Sequence, residues 1–373
     1  MLRTETKNHK LPVELELPAS SRAPMPVGAL RDLLGPAVRI GCALGKAPLQ
    51  MNPAEQELLR TQFNAITPEN CMKPEPIHPS PEVYRFTEAD ALVAFAGHHQ
   101  MEVTGHCLVW HQQSPTWMFK DGQAPASRDL VLSRLASHLE TVMGRYRGQI
   151  AGWDVVNEAV ADHGSNLLRD TFWTQTVGDD FVEQAFRLAH AVDPEAKLYY
   201  NDFNIELPTK RAKTLTLLRR LLDAGVHLDG VGIQGHWIID QIPFDDIEQT
   251  ITEFHQLGLK VMITELDLDI MDRPDCGADV SWQDQTKRKF DPYAGNCPDE
   301  ILTAHAQQYG QLFERFARQS EKLSRITFWG LHDGGSWLNA WPWKRKNFPL
   351  LFDRDCRPKA AFHEVVNRVA AIR

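Results

Sequence analysis

Two short apolar runs in this 373-residue chain end in a glutamate. They are Trp153-Asp154-Val155-Val156-Asn157-Glu158 and Ile263-Thr264-Glu265-Leu266-Asp267. An apolar run bounded by polar residues reads as a buried strand. A carboxylate at the end of such a strand stands at the rim of a sheet or barrel, where a substrate can reach it. Two carboxyl groups facing one cleft can divide the work of breaking a glycosidic bond. One gives a proton to the leaving oxygen, and the other attacks the anomeric carbon or activates water. That division requires surroundings that push their pKa values apart.

Other polar and aromatic residues gather at the ends of neighbouring runs. His106, Trp110 and His111 close one, Asn201 and Asp202 lie in another, and Gln234 and His236 close a third. Trp329 and His332 belong to the last. A lone His or Asn near a core is more often structural, but a rim supplied by many strands is hard to explain by packing alone. Asp267 lies two residues beyond Glu265, on the same strand face. His236, on the adjacent strand, is placed to bridge these carboxylates and hold Glu265 charged. The plainer reading of Asp267 is a local salt bridge.

The elements that must position these residues alternate in type. Strand-like runs fall at 38–44, 64–69, 102–110, 150–158, 197–203, 230–236, 260–268 and 326–333. Helical periodicity marks 130–146, 181–192, 210–224, 244–257, 301–318 and 360–372. Eight strands alternating with helices predict a single (β/α)8 TIM barrel, an α/β fold, over residues 31–373. An open doubly wound sheet is the alternative, but its glycine-rich first turn is absent. Residues 1–30, with four prolines, read as a short N-terminal extension. Long polar loops follow the seventh and eighth strands, on the face where barrel active sites sit.

Composition narrows the function further. Apolar residues make up 43% and charged residues 24%, and the net charge of −9 argues against a nucleic-acid partner. Ten tryptophans are available for sugar stacking, although most tryptophans in any protein are core or rim. No apolar stretch approaches the roughly 18 residues of a membrane span. Met1 to Ser21 lacks the apolar centre of a signal peptide. The expectation is a cytoplasmic protein, or a secreted or periplasmic one after removal of a signal. Six cysteines include no CxxC pair. Cys42, Cys71 and Cys107 read as buried thiols. A Cys276–Cys297 disulfide would close about 20 residues and contribute about 3 kcal/mol, and pairing or not remains open. A metal-dependent hydrolase built on His106, His111 and His236 is a second reading, but their spacing differs from the helix-borne zinc motif.

The motifs taken in order resemble glycoside hydrolase family 10 endo-β-1,4-xylanases from about residue 31 to the C-terminus. They are Thr67-Pro68-Glu69-Asn70-Cys71-Met72-Lys73, then Gly105-His106-Cys107-Leu108-Val109-Trp110-His111, then the segment from Trp153 to Glu158. Tyr200-Asn201-Asp202-Phe203-Asn204, Gly232-Ile233-Gln234-Gly235-His236, Ile263 to Asp267, and Trp329-Gly330-Leu331-His332-Asp333 with Ser336-Trp337 follow. The resemblance implies Glu158 as acid/base and Glu265 as nucleophile of a retaining enzyme. It implies supporting roles for Asn157, His236 and Asp267, with Asn157 at the sugar 2-hydroxyl and Gln234 on the nucleophile side. Glu69, Asn70, Lys73, His106, Trp110, Asn201, Trp329 and Trp337 match substrate-binding positions. For Lys73, an ion pair with Glu69 is the alternative. The implied partners are xylan and xylo-oligosaccharides, with no metal or organic cofactor, and a monomer is expected. A non-catalytic xylan-binding relative is disfavoured because both glutamates are present. Leu338-Asn339-Ala340 follows Trp337 where many family members place a basic residue. The nearby stretch 341–347 is basic and aromatic. A solvated loop is the plainer reading, and contact of Lys344 and Arg345 with an acidic substituent of the polymer is the other.

Overall fold

Eight apolar runs form parallel strands: β1 (Arg39–Leu44), β2 (Ala65–Pro68), β3 (Glu102–Trp110), β4 (Gly152–Asn157), β5 (Lys197–Asp202), β6 (Gly230–Ile233), β7 (Lys260–Asp269) and β8 (Leu323–Phe328). They are buried almost end to end, as in a parallel sheet covered by helices. Each pairs with the next, and β8 pairs with both β7 and β1, so the sheet closes. The expected (β/α)8 barrel is therefore the fold. The computed structural model describes residues 29–273, 279, 281–287 and 290–373. The extension before Ala29 and Cys276, with its possible pairing to the buried Cys297, lie outside the described residues. Among the described residues no helix is long and apolar enough to cross a membrane.

Helices α1 (Pro53–Gln62), α2 (Thr87–His98), α3 (Arg128–Arg145), α4 (Phe181–Val192), α5 (Pro208–Asp223), α6 (Phe244–Gln256), α7 (Asp299–Arg318) and α8 (Ala360–Ile372) surround the barrel. Periodicity had not marked α1 and α2. The sequence signal for α1 is its cap: Asn52 accepts from the Glu55 amide at 3.0 Å, and Glu55 accepts from the Asn52 amide at 2.8 Å. Pro53 occupies the first helical position.

Most strand ends fall within two residues of expectation, but β6 and β8 depart further, and both differences shape the rim. β8 starts at Leu323 and ends at Phe328, so Trp329 to Asp333 belong to the loop beyond it. β6 stops at Ile233, and the chain turns at Gly235 (φ +83°) before a short strand, His236–Ile238. That strand pairs with the end of β7 and sets His236 directly beside Asp267. Register shifts interrupt the β3–β4 ladder between His106 and Val109, and the β7–β8 ladder between Ile263 and Leu266. Such irregularities re-aim side chains. Here they flank His106 and Glu265.

Candidate active site

A cleft of about 510 Å³ opens at the C-terminal ends of the strands. Glu158 and Glu265 both line it, although they are only 6% and 5% exposed. Asn157, Gln234 and His236 line it with them, as do Glu69, Asn70, Lys73, His106, Trp110, Trp329 and Trp337.

Glu265 is held from two sides. Its Oε1 accepts from Asn201 Nδ2 at 2.7 Å, and its Oε2 lies 3.2 Å from His236 Nε2. The other ring nitrogen of His236 lies 3.0 Å from Asp267 Oδ1, and Trp337 Nε1 donates to Asp267 Oδ2 at 2.8 Å. Burial opposes charge on His236, yet Asp267 and Glu265 outweigh it and raise its pKa to about 9. The imidazolium thus sits between two carboxylates. Burial likewise works against ionisation of Glu265, but the His236 hydrogen bond and neighbouring positive charge hold its carboxyl below the usual range.

Glu158 has a different environment. Burial, helped by the nearby charge of Glu265, pushes its carboxyl upward. Hydrogen bonds from Gln234 Nε2 to Oε1 (2.9 Å) and from Trp110 Nε1 to Oε2 (2.8 Å) oppose that rise only in part. A chain of amides joins the two acids. Asn157 Nδ2 donates to Glu158 Oε1 at 3.3 Å, Asn201 Nδ2 donates to Asn157 Oδ1 at 2.9 Å, and the same amide reaches Glu265. One cleft therefore holds one carboxyl biased toward the protonated form and one biased toward the ionised form.

The family model for glycosyl hydrolase family 10 matches residues 29–368. The chain belongs to glycosyl hydrolase family 10. This family 10 hydrolase is 40% identical over 347 residues to an endo-1,4-beta-xylanase of Geobacillus stearothermophilus, covering 91% of this chain and 98% of that one. A GH10 endoxylanase retrieved from sugarcane soil metagenome superposes with a TM-score of 0.86 at 38% identity, over 91% of this chain and 99% of that one. Another neighbour, solved in complex with xylotriose, superposes with a TM-score of 0.82 at 36% identity, over 91% and 99% of the two chains.

The rest of the cleft wall of the family 10 hydrolase follows from local contacts. Lys73 donates to Asn70 Oδ1 at 3.2 Å, and its ammonium lies 4.8 Å from the centre of the Trp110 ring. Glu69 is pushed up by burial, against the attraction of the Lys73 charge. His106 is fixed by Asp154, 3.0 Å from its Nδ1, and packs edge-on to Trp329. Trp337 stacks on Trp341 with centroids 4.7 Å apart. Asp154 and Arg273 are not among the site residues expected from the sequence, whereas Trp341 comes from the basic and aromatic stretch 341–347. Asp154 was visible only as a polar residue inside an apolar run.

Several sequence expectations need correction. Asn201 does not face the cleft: it is fully buried, both amide donors are spent on Asn157 and Glu265, and its oxygen accepts from Thr264. It is a brace between the two acids rather than a sugar contact. The Gln234 side chain serves Glu158 and Asn157; only its backbone carbonyl meets Glu265, accepting from that amide at 2.7 Å. His332 turns away to Glu55, 2.9 Å off, so its polarity belongs to the α1 cap. His111 lies behind Glu158, in a small cavity with Arg169 and Trp173. Among the described residues no three His, Cys, Asp or Glu groups converge in a metal-binding arrangement. Arg345 is completely buried and paired with Asp269, which also takes Arg273 at 3.2 Å. It fastens the loop after β8 to β7 and is closed to substrate, whereas Lys344 is exposed.

Proposed function

We propose that this family 10 hydrolase is an endo-acting, retaining β-1,4-xylanase that cuts internal xylosidic bonds of xylan by double displacement. The observation that carries the reading is the opposite bias of two buried carboxyls in one cleft. Glu158, pushed up by burial, protonates the leaving glycosidic oxygen as the C1–O bond breaks. Glu265, kept ionised by His236, bonds to C1 and forms the glycosyl-enzyme. Glu158, now a carboxylate, takes a proton from water, whose oxygen displaces Glu265 from C1 and regenerates both groups. Asn157 sits between the acids, where its amide can meet the sugar 2-hydroxyl. Glu69, Asn70 and Lys73 offer charge and hydrogen bonds to sugars further along the cleft. Trp110, Trp329 and Trp337 offer apolar faces to pyranose rings. No step needs a metal or organic cofactor, residues 31–373 act as one catalytic domain, and the working unit is the monomer.

Azide rescue tests both the assignment and the stereochemistry. An activated aryl β-xylobioside is incubated with azide and either Glu158→Ala or Glu265→Ala. The first variant should yield the β-glycosyl azide through an intact glycosyl-enzyme. The second should yield the α-azide by direct displacement. Exchanged or identical products would overturn the roles. Early products from xylohexaose, resolved by mass spectrometry, should come from internal bonds; release of xylose alone would refute endo action.

A further inference from the structure

Glu158 adopts a left-handed backbone conformation, φ +60°. That region is unfavourable for a residue with a side chain and persists only where its surroundings over-determine it. Here they do. Every backbone polar group of residues 158–160 has a partner. The Glu158 amide donates to the Asn201 carbonyl at 2.8 Å, and its carbonyl accepts from Arg169 Nε at 3.2 Å. The Ala159 and Val160 amides both donate to the Tyr200 hydroxyl, at 3.1 and 3.0 Å. The Ala159 carbonyl accepts from the Arg169 amide at 2.8 Å, and the Val160 carbonyl from Arg169 Nη2 at 3.2 Å.

The two residues that supply most of these bonds are themselves anchored. Tyr200 donates its hydroxyl proton to Asp202, and both residues are wholly buried. Arg169 grips Asp162 through both terminal nitrogens. Lys210 ties the halves together, with Nζ 2.7 Å from Asp162 and 2.8 Å from Asp202. Two cations thus face two anions, and the group is electrically balanced. None of the five lines the cleft that holds both acids; Arg169 stands behind Glu158, in the small cavity with His111 and Trp173.

We propose that Arg169 and Tyr200, anchored by Asp162, Asp202 and Lys210, are positioning residues that aim Glu158 at the leaving oxygen. The inference rests on the reading of Glu158 as acid/base. Misaiming a general acid harms only those substrates that need the proton. A leaving oxygen of a sugar departs with the electron pair of the C1–O bond and must be protonated. A 2,4-dinitrophenolate departs without a proton. The ratio of kcat/KM on these two substrates therefore isolates proton delivery, because kcat/KM reports the first step alone.

The test compares Tyr200→Phe and Arg169→Met with the unmodified enzyme on xylohexaose and on 2,4-dinitrophenyl β-xylobioside. Thermal midpoints confirm folding. On xylohexaose, kcat/KM should fall about tenfold or more, and on the dinitrophenyl substrate by less than about twofold. Equal losses on both substrates, or none on either, would overturn the proposal. Should Arg169→Met fail to fold, the near-isosteric Tyr200→Phe decides. Glu158→Gln separates the two levels of inference. If it loses both substrates equally, the acid/base reading has failed. If it spares the dinitrophenyl substrate while Tyr200→Phe and Arg169→Met do not discriminate, only the positioning role has failed.

Discussion

His236 satisfies two carboxylates with one ring, and the consequences run in two directions. Toward catalysis, its hydrogen bond to Oε2, together with its charge, helps keep Glu265 ionised against burial. In the proposed mechanism the ionisation of Glu265 sets the acidic limb of the pH–rate profile. In His236→Gln the Glu265 pKa should rise, so that limb should move to higher pH. At pH 6, kcat/KM should fall about ten- to a hundredfold. An acidic limb that stays in place would show that His236 does not govern the nucleophile. Toward stability, the folded pKa of His236 is raised to about 9 from an ordinary 6.5. Its contribution is therefore complete below pH 6.5 and is lost as pH climbs toward 9.

At the scale of elements, the site depends on how closely β5, β6 and β7 can approach. Gly232, in the middle of β6, lies between the Asn201 and Thr264 side chains of its neighbours. A Cβ there would come within 2.4 Å of Asn201 Oδ1 and 2.5 Å of Thr264 Cγ2. Neither can retreat without breaking the brace that holds Glu265 to Asn157. Gly232→Ala should destabilise the fold by about 1–3 kcal/mol in denaturant unfolding. It should also reduce kcat/KM about tenfold or more in the fraction that folds. A fully stable and fully active alanine variant would mean that the brace is looser than these contacts indicate. The turn at Gly235 matters for the same reason, since it places His236 over the end of β7.

At the scale of the whole molecule, buried ionisable groups far from the cleft make stability depend on pH. His138, on α3, is fully buried, with its Nδ1 3.1 Å from that of His78. Burial, with the repulsion of His78, lowers its pKa to about 3. The unfolded chain takes up this proton near pH 6.5, so the stabilisation present above that pH is lost as pH falls toward 3. Carboxyls of the cleft wall that burial raises, Glu69 and Glu206, run the other way above their ordinary pKa. The contribution of the histidine is best read as a difference. Against the unmodified protein, His138→Gln should show a flatter loss of unfolding free energy between pH 6.5 and 4. His236→Gln should flatten the loss between pH 6.5 and 9. Guanidinium midpoints across this range would measure both, and parallel profiles would refute the assignment of either histidine.

Much of this was legible in the chain itself. Strand ends are marked by where apolar runs stop, because a buried strand tolerates polar groups only at its rim, and so Glu158, Glu265, His236 and Asp267 could be set on one face. The count of eight runs alternating with helices was enough for the barrel. What the sequence could not contain was which neighbour each rim side chain would choose. Asn201 and Gln234 look alike as rim amides, yet one braces Glu265 from behind and the other serves Glu158. That choice depends on strand register and on bulges that no local pattern records. Arg345 reads as a surface cation until the fold brings Asp269 beside it, since a guanidinium is buried only where a carboxylate meets it. Residues as distant in sequence as Arg169 and Tyr200 meet around one strained backbone position only after the barrel has closed. Residue types and order determined what chemistry was available; tertiary structure alone decided which groups stand against substrate and which stand behind those that do.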